Sequence, residues 1–183
     1  MRVSIKFDLG EYLNDVFVET GVGSGGNILK AIRAGYPEIH GIEISETLYH
    51  QSHGKIAAEI QKLPRSPSVT LYCGDPVAGL EQLCATMQHK RVTFLLDSYT
   101  DGEHLSDADR PIITEISVIR RWFQDNLIQP IIMVGGLRQS AALMTDILNA
   151  VLDIDADYQF RVLDDHVSRN VLVALPPTWV QAQ

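Results

Sequence analysis

The residues with the most chemical promise stand in Val16-Phe-Val-Glu-Thr-Gly21-Val-Gly23-Ser-Gly25-Gly26-Asn27, a β-branched run that passes into a glycine-rich turn and then a stretch of helical period. Backbone without a Cβ can take positive φ and let a ligand come close, which is what glycine does between a strand and a helix that hold a nucleotide-like group. Four glycines in six residues exceed what a plain tight turn requires. Gly21, Gly23 and Gly26 also fit G-x-G-x-x-G, so the motif alone does not separate a dinucleotide from another nucleotide-like cofactor.

Three acids follow at strand ends. Glu43 closes His40-Gly-Ile-Glu-Ile-Ser45, about 20 residues past the glycines, where a carboxylate can accept hydrogen bonds from ribose hydroxyls. The alternative is a solvated strand-end acid, and Ser45 reads as the N-cap of the next helix. In Gly74-Asp75-Pro76 the acid could meet an adenine amino group, while helix capping explains it equally well. Asp97 ends Val92-Thr-Phe-Leu-Leu-Asp-Ser-Tyr99, and an acid closing a fully apolar strand faces the topological switch point where open α/β sheets bind ligands.

These positions need a scaffold, and the chain supplies an α/β pattern. From Asp15 onward, β-branched runs alternate with helical stretches, as in βαβ units that build a parallel sheet. The strands are expected at Val16–Glu19, Ile39–Ile44, Val69–Cys73, Val92–Asp97, Ile131–Val134, Tyr158–Leu163 and Val171–Leu175, five of them buried on both faces. The helices are expected at Gly26–Ala34, Glu46–Leu63, Val77–Gln88, Pro111–Asn126 and Arg138–Leu152. Gly35 with Pro37 stops the first, Pro64 and Pro67 close the second, and Pro111 suits a first turn. Ile112, Ile116, Ile119 and Phe123, with Trp122 beside them, form a stripe that should pack on the sheet. The segment Asp164–Asn170 is too short for a crossover helix, so the last two strands must pair as an antiparallel hairpin, with Asp164-Asp165-His166 as turn chemistry. Right-handed crossovers then place helices on both faces of a mostly parallel sheet, giving a three-layer, Rossmann-like arrangement over residues 1–183.

Composition narrows the partners. Fifteen basic against 23 acidic residues give a net charge of −8, which argues against a broad footprint for nucleic acid or anionic membrane and favours small solutes or protein partners. No apolar run has the length of a signal-peptide core or of a membrane span, so a soluble cytoplasmic protein is expected. Cys73 and Cys84 read as buried small hydrophobes rather than a bridge, and no Cys/His cluster points to zinc.

Taken in order, Glu19-Thr-Gly21-Val-Gly23-Ser-Gly25, Glu43, Gly74-Asp75 and Leu96-Asp97 resemble the class I S-adenosylmethionine-dependent methyltransferase family. The resemblance spans nearly the whole chain and implies the strand order 3-2-1-4-5-7-6, with the terminal hairpin as the reversed seventh strand. It implies S-adenosylmethionine as cofactor, held by Glu19, Gly21, Gly23, Gly25, Glu43, Ile44, Gly74, Asp75, Asp97 and Ser98. Glu19, two positions ahead of the first glycine, distinguishes this pattern from NAD-binding sites, because in the family a carboxylate there meets the amino end of the cofactor's methionine. More narrowly, Val18-Glu-Thr-Gly-Val-Gly-Ser-Gly-Gly, Ile42-Glu-Ile and Leu95-Leu-Asp-Ser-Tyr resemble small, poorly characterised methyltransferase-like proteins. Members usually carry paired acids after the fifth strand, where this chain reads Met133-Val-Gly135-Gly136-Leu-Arg138. That departure speaks against a bound metal, and Gly135-Gly136 could instead let a substrate or a neighbouring chain approach.

Methyl transfer asks mainly for in-line positioning, and a base helps only when the acceptor is a hydroxyl or a protonated amine. His104 is the candidate base, with Asp97 or Asp101 to orient it, against the plainer reading of a solvated loop histidine. Asp101, Glu103, Asp107 and Asp109 could attract a cationic acceptor but read first as a polar loop. His50 and His53 lack a third ligand and read as surface residues. The expectation is O-methylation of a small-molecule acceptor, since the site after the fourth strand reads Asp97-Ser-Tyr-Thr and not the Asn/Asp-Pro-Pro-aromatic of nucleic-acid enzymes. An NAD(P)-dependent oxidoreductase and a non-catalytic assembly protein that kept the fold are the alternatives. The short lead before the first strand offers little cover for a site, which favours a homo-oligomer.

Overall fold

Seven strands share one sheet: β1 (Val16–Thr20), β2 (Glu38–Glu43), β3 (Ser68–Cys73), β4 (Val92–Leu96), β5 (Ile131–Val134), β6 (Gln159–Leu163) and β7 (Val171–Leu175), in the order β3-β2-β1-β4-β5-β7-β6. The computed structural model describes residues 7–98, 111–136, 141–163 and 170–180. β1 to β5 run parallel, and β7 is antiparallel to both β5 and β6. The expected hairpin and strand order therefore hold, although the Asp164-Asp165-His166 turn lies outside the described residues.

Alternation along the strands divides the core in two. Val16, Val18, Phe94 and Leu96 face the layer of α3 (Pro76–Thr86), α4 (Pro111–Asn126) and α5 (Ala141–Leu152). Phe17, Ile39, Leu95 and Met133 belong to the opposite core, with α1 (Gly26–Ala34) and α2 (Glu46–Ile60). Burial on both faces is the mark of β1, β2, β4, β5 and β7, while the edges β3 and β6 are largely accessible. Cys73 accordingly lies exposed on β3, against expectation, and Cys84 is buried on α3, its thiol pushed up to about 12 by burial.

Several boundaries move for local reasons. α2 stops at Ile60 instead of Leu63, because Lys62 and Leu63 turn with i−3 bonds to Glu59 and Ile60, and the residue before Pro64 avoids the helical region. On α4 it is Trp122 that is fully packed, edge-on to Phe94, while Phe123 is half-buried. The lead before β1 does more than enter the sheet. Phe7, and Leu9 and Tyr12 of its 3₁₀ turn, Leu9–Tyr12, are buried in the α1/α2-side core, and the Tyr36 hydroxyl donates to the Tyr12 carbonyl at 2.6 Å. A short final helix, α6 (Pro177–Val180), packs Trp179 on the same core. Among the described residues no helix is long and apolar enough to cross a membrane.

Candidate functional site

The carboxyl ends of β1, β2 and β4 are drawn together by the glycine turn. Gly21 has φ +74°, and a Cβ there would stand 2.3 Å from the Asp97 carbonyl oxygen and 2.6 Å from the Ser98 Cα, so only glycine lets β1 turn this close to β4. Its N–H donates to the Ile42 carbonyl at 2.9 Å, which ties the same turn to β2. β4 ends at Leu96, one residue short of expectation, but the Asp97 N–H still donates to Thr20 O at 3.0 Å and carries the pairing to the site.

Glu19 is fully enclosed, at 0% exposure. Its Oε1 accepts from Asn27 Nδ2 at 2.8 Å, whereas Oε2 has no hydrogen-bond partner among the described residues. Burial pushes this carboxyl well above its usual range, against the Asn27 bond and the charge of Lys30, while Asp97 and Glu43 push it further up. Asn27 is itself half-satisfied, since its Oδ1 is buried without a partner among the described residues. α1 begins at Gly26 with no side-chain cap from Gly25, which has φ +84°. The pair of an orphaned carboxylate oxygen and an orphaned amide oxygen is suited to a ligand that donates hydrogen bonds.

Glu43 is buried and works as a clasp. Its Oε2 accepts from the Gly23 N–H at 2.7 Å and its Oε1 from the Ser45 N–H at 2.8 Å, so one side chain fixes the glycine turn to the β2–α2 turn. Each oxygen keeps a further lone pair for a ligand hydroxyl. Ser45 caps α2 as expected, accepting from Leu48 N at 3.4 Å. Ile44, between them, is 59% exposed and forms a bare apolar face beside a buried acid. Gly74 joins the ends of β2 and β3 by donating to Glu43 O at 2.9 Å. Asp75 caps α3 through Oδ1, accepting from Ala78 N at 2.9 Å, so the capping reading is realised in the structure.

Asp97 and Ser98 are half-buried on the β4 side. A Cβ on Gly135 would stand 2.4 Å from Asp97 Oδ1, so the bare edge of Gly135 makes room for the Asp97 carboxylate. His104, Asp101, Glu103, Asp107, Asp109 and Arg138 lie outside the described residues.

Two residues of this region carry roles the motifs did not announce. Asn27 holds Glu19 from eight residues away. Glu115 sits fully buried on α4, with the Ser98 hydroxyl donating to its Oε1 at 3.0 Å and its Oε2 at 3.1 Å. Burial raises it to about 7; Ser98 and Thr20 pull it down, the Thr20 hydroxyl from outside good hydrogen-bond geometry, and Asp75 adds to the rise. The available signal was an acid set in the apolar stripe of Ile112, Ile116 and Ile119.

No family model matches the chain, and no curated protein matches it. Solved structures do. Human methyltransferase-like protein 13 in complex with SAH is similar over 95% of this chain and 80% of its own, with 12% identity and a TM-score of 0.60. Cofactor-bound Rv0187 from MTB is similar over 96% and 82%, with 13% identity and a TM-score of 0.58. Precorrin-6y C5,15-methyltransferase from Geobacter metallireducens is similar over 87% and 78%, with 12% identity and a TM-score of 0.58. The strand order and these likenesses establish the class I methyltransferase fold.

Proposed function

We propose that this chain, as one methyltransferase-type unit, binds S-adenosylmethionine at the carboxyl end of its sheet and methylates a small-molecule acceptor, with O-methylation the favoured chemistry. The observation that carries the reading is Glu19 Oε2, a carboxylate oxygen enclosed beside the glycine turn without a partner among the described residues. Such a group is costly when bare and is satisfied by a cationic donor such as an amino group. A dinucleotide would instead bring phosphate charge towards a buried acid, which disfavours the NAD(P) alternative.

The residues present fit the cofactor. Glu19 would take its amino end, and Gly21, Gly23 and Gly25 would admit it to the backbone. Glu43 would receive ribose hydroxyls, and Ile44 would lie against the base. Gly74 and Asp75 would border the adenine edge, and Asp97 with Ser98 would close the site from β4. Bound there, the cofactor supplies a methyl group already activated on a sulfonium. What the chain adds is position: the Glu43 clasp and the Gly21 approach fix the site's floor, so the acceptor can be held in line. Asp97 is the described candidate to orient or deprotonate a hydroxyl acceptor. The acidic balance of the chain, a net charge of −8, favours a small acceptor over nucleic acid.

Isothermal titration with S-adenosylhomocysteine, beside NADH, tests this. Binding of the first and not the second is expected, with Glu43→Ala weaker by about tenfold or more because it loses charge-assisted hydrogen bonds. A folded sample that takes NADH, or neither ligand, would overturn the proposal.

A further inference from the structure

Three acids among the described residues are buried: Glu19, Glu43 and Glu115. The first two line the proposed cofactor site directly, while Glu115 lies on the other face of the sheet, on α4, beneath the junction of β1 and β4. This is the junction that Gly21 keeps tight against Asp97 and Ser98. Ser98 connects the two levels. It is half-buried in the turn after β4, and its hydroxyl donates down to both Glu115 oxygens.

We infer that Glu115 is a positioning residue that, through Ser98, makes the site favour a cationic sulfonium over the neutral thioether of otherwise identical structure. The inference rests on the proposed cofactor and asks what this particular chain does with it. A carboxylate shielded from water acts over a longer distance than an exposed one, so an ionised Glu115 stabilises positive charge placed above the Ser98 turn. It does little for a neutral sulfur. Linkage makes the effect reciprocal, because a bound cation must favour ionisation of Glu115 to the same degree.

The protonation state also sets the Ser98 hydroxyl. While Glu115 is ionised, it accepts the Ser98 proton and fixes the turn. Once protonated it keeps a carbonyl acceptor for Ser98 but gains a donor of its own, and the bond loses its charge assistance, which loosens that constraint. The groups that bear on it among the described residues are Asp75 at the head of α3, Thr20 from β1 and Ser98 after β4, with Asp97 one residue before. None of these is a cation. Because burial places Glu115 at about 7, the change falls where a cell can read it.

The test is titration of the whole chain with S-adenosylmethionine and S-adenosylhomocysteine from about pH 6 to about pH 8, in wild type, Glu115→Gln and Ser98→Ala. In wild type the preference for the sulfonium should grow by about threefold to tenfold across this range, within the tenfold per pH unit that one proton allows. Glu115→Gln should remove that growth while still binding the thioether. Ser98→Ala should shift the midpoint upward, since the buried charge loses its donor, and it provides the answer if Glu115→Gln does not fold. Equal pH profiles for wild type and Glu115→Gln, or an unmoved midpoint in Ser98→Ala, would overturn the inference while leaving the cofactor assignment intact. If neither ligand binds folded wild type, the cofactor reading fails and takes this one with it.

Discussion

The two ends of the same sheet treat their acids in opposite ways. At the amino end, Asp15 meets Arg91 through Oδ1–Nη2 at 2.9 Å and Oδ2–Nε at 3.2 Å, and Glu38 meets Lys90 at 2.6 Å and His40 at 2.8 Å. At the carboxyl end, Glu19 is held by an amide, Glu43 by two backbone N–H groups, Asp75 by one, and Glu115 by a hydroxyl. Lys30 bears on Glu19 only as one of several charges, and burial outweighs it. Among the described residues, Asp15 and Glu38 at the amino end are held by cations of the chain itself, whereas the hydrogen bonds to Glu19, Glu43, Asp75 and Glu115 come from neutral dipoles. A fold that needed acids solely for stability has no reason to bury three of them on neutral donors, which makes Glu19, Glu43 and Glu115 the acids to which a cation from outside has most to contribute.

Breaking the tight end should have the largest effect. Gly21→Ala drives a Cβ to 2.3 Å from backbone at a φ of +74°, where no flexible side chain can yield. It should cost about 3 kcal/mol or more and abolish cofactor binding, as read by chemical denaturation and calorimetry. Glu115→Gln should do the reverse for stability. A carboxyl raised from its ordinary range to about 7 favours the folded state most below the unfolded value of 4.5, and that advantage is lost as pH rises through 7. At about pH 8 the buried charge costs about 3 kcal/mol, so the variant should gain roughly 1–3 kcal/mol there and nothing at about pH 4. Denaturation midpoints at the two pH values check it, and a gain independent of pH would contradict this account.

The asymmetry also explains what could be read in advance. Five buried strands, the hairpin and the glycine turn are legible because each rests on local pattern: β-branched runs, a connection too short for a helix, and glycines that permit a close turn. Glu43 can be singled out from its distance to that turn, and Glu19 only through the family resemblance. Glu115 is not, since its burial arises only when α4 docks over β1 and β4, and in sequence it is one acid in an ordinary amphipathic stripe. The burial of Phe7, Leu9 and Tyr12 is hidden for the same reason, being decided by contact with α1 and not by any period of their own. The crowding of Gly135 by the Asp97 carboxylate is hidden too, because it depends on one distance between two strand ends.

Glu38 gives a sharper test, because it is an acid of similar type with the opposite surroundings. Partial burial raises its carboxyl, but the bonds from Lys90 and His40 outweigh that and hold it below the ordinary range. Its contribution is therefore present above the unfolded value of 4.5 and is lost as pH falls below it, the mirror of Glu115. Glu38→Gln should cost about 1 kcal/mol at neutral pH and less in acid, where Glu115→Gln is also silent. The smallest effect belongs to Arg91→Ala. Arg91 bonds hold the Asp15 carboxyl low, yet the two side chains are 64% and 47% exposed, so water and salt screen the pair. The loss should stay under about 1 kcal/mol and shrink further in high salt, because the backbone bonds of Arg91 N to Asp15 Oδ2 and of Asp15 N to Arg91 O survive the substitution. A large, salt-insensitive loss at Arg91 would mean that the amino end also depends on its charges for its shape, and the contrast between the two ends would then be one of degree.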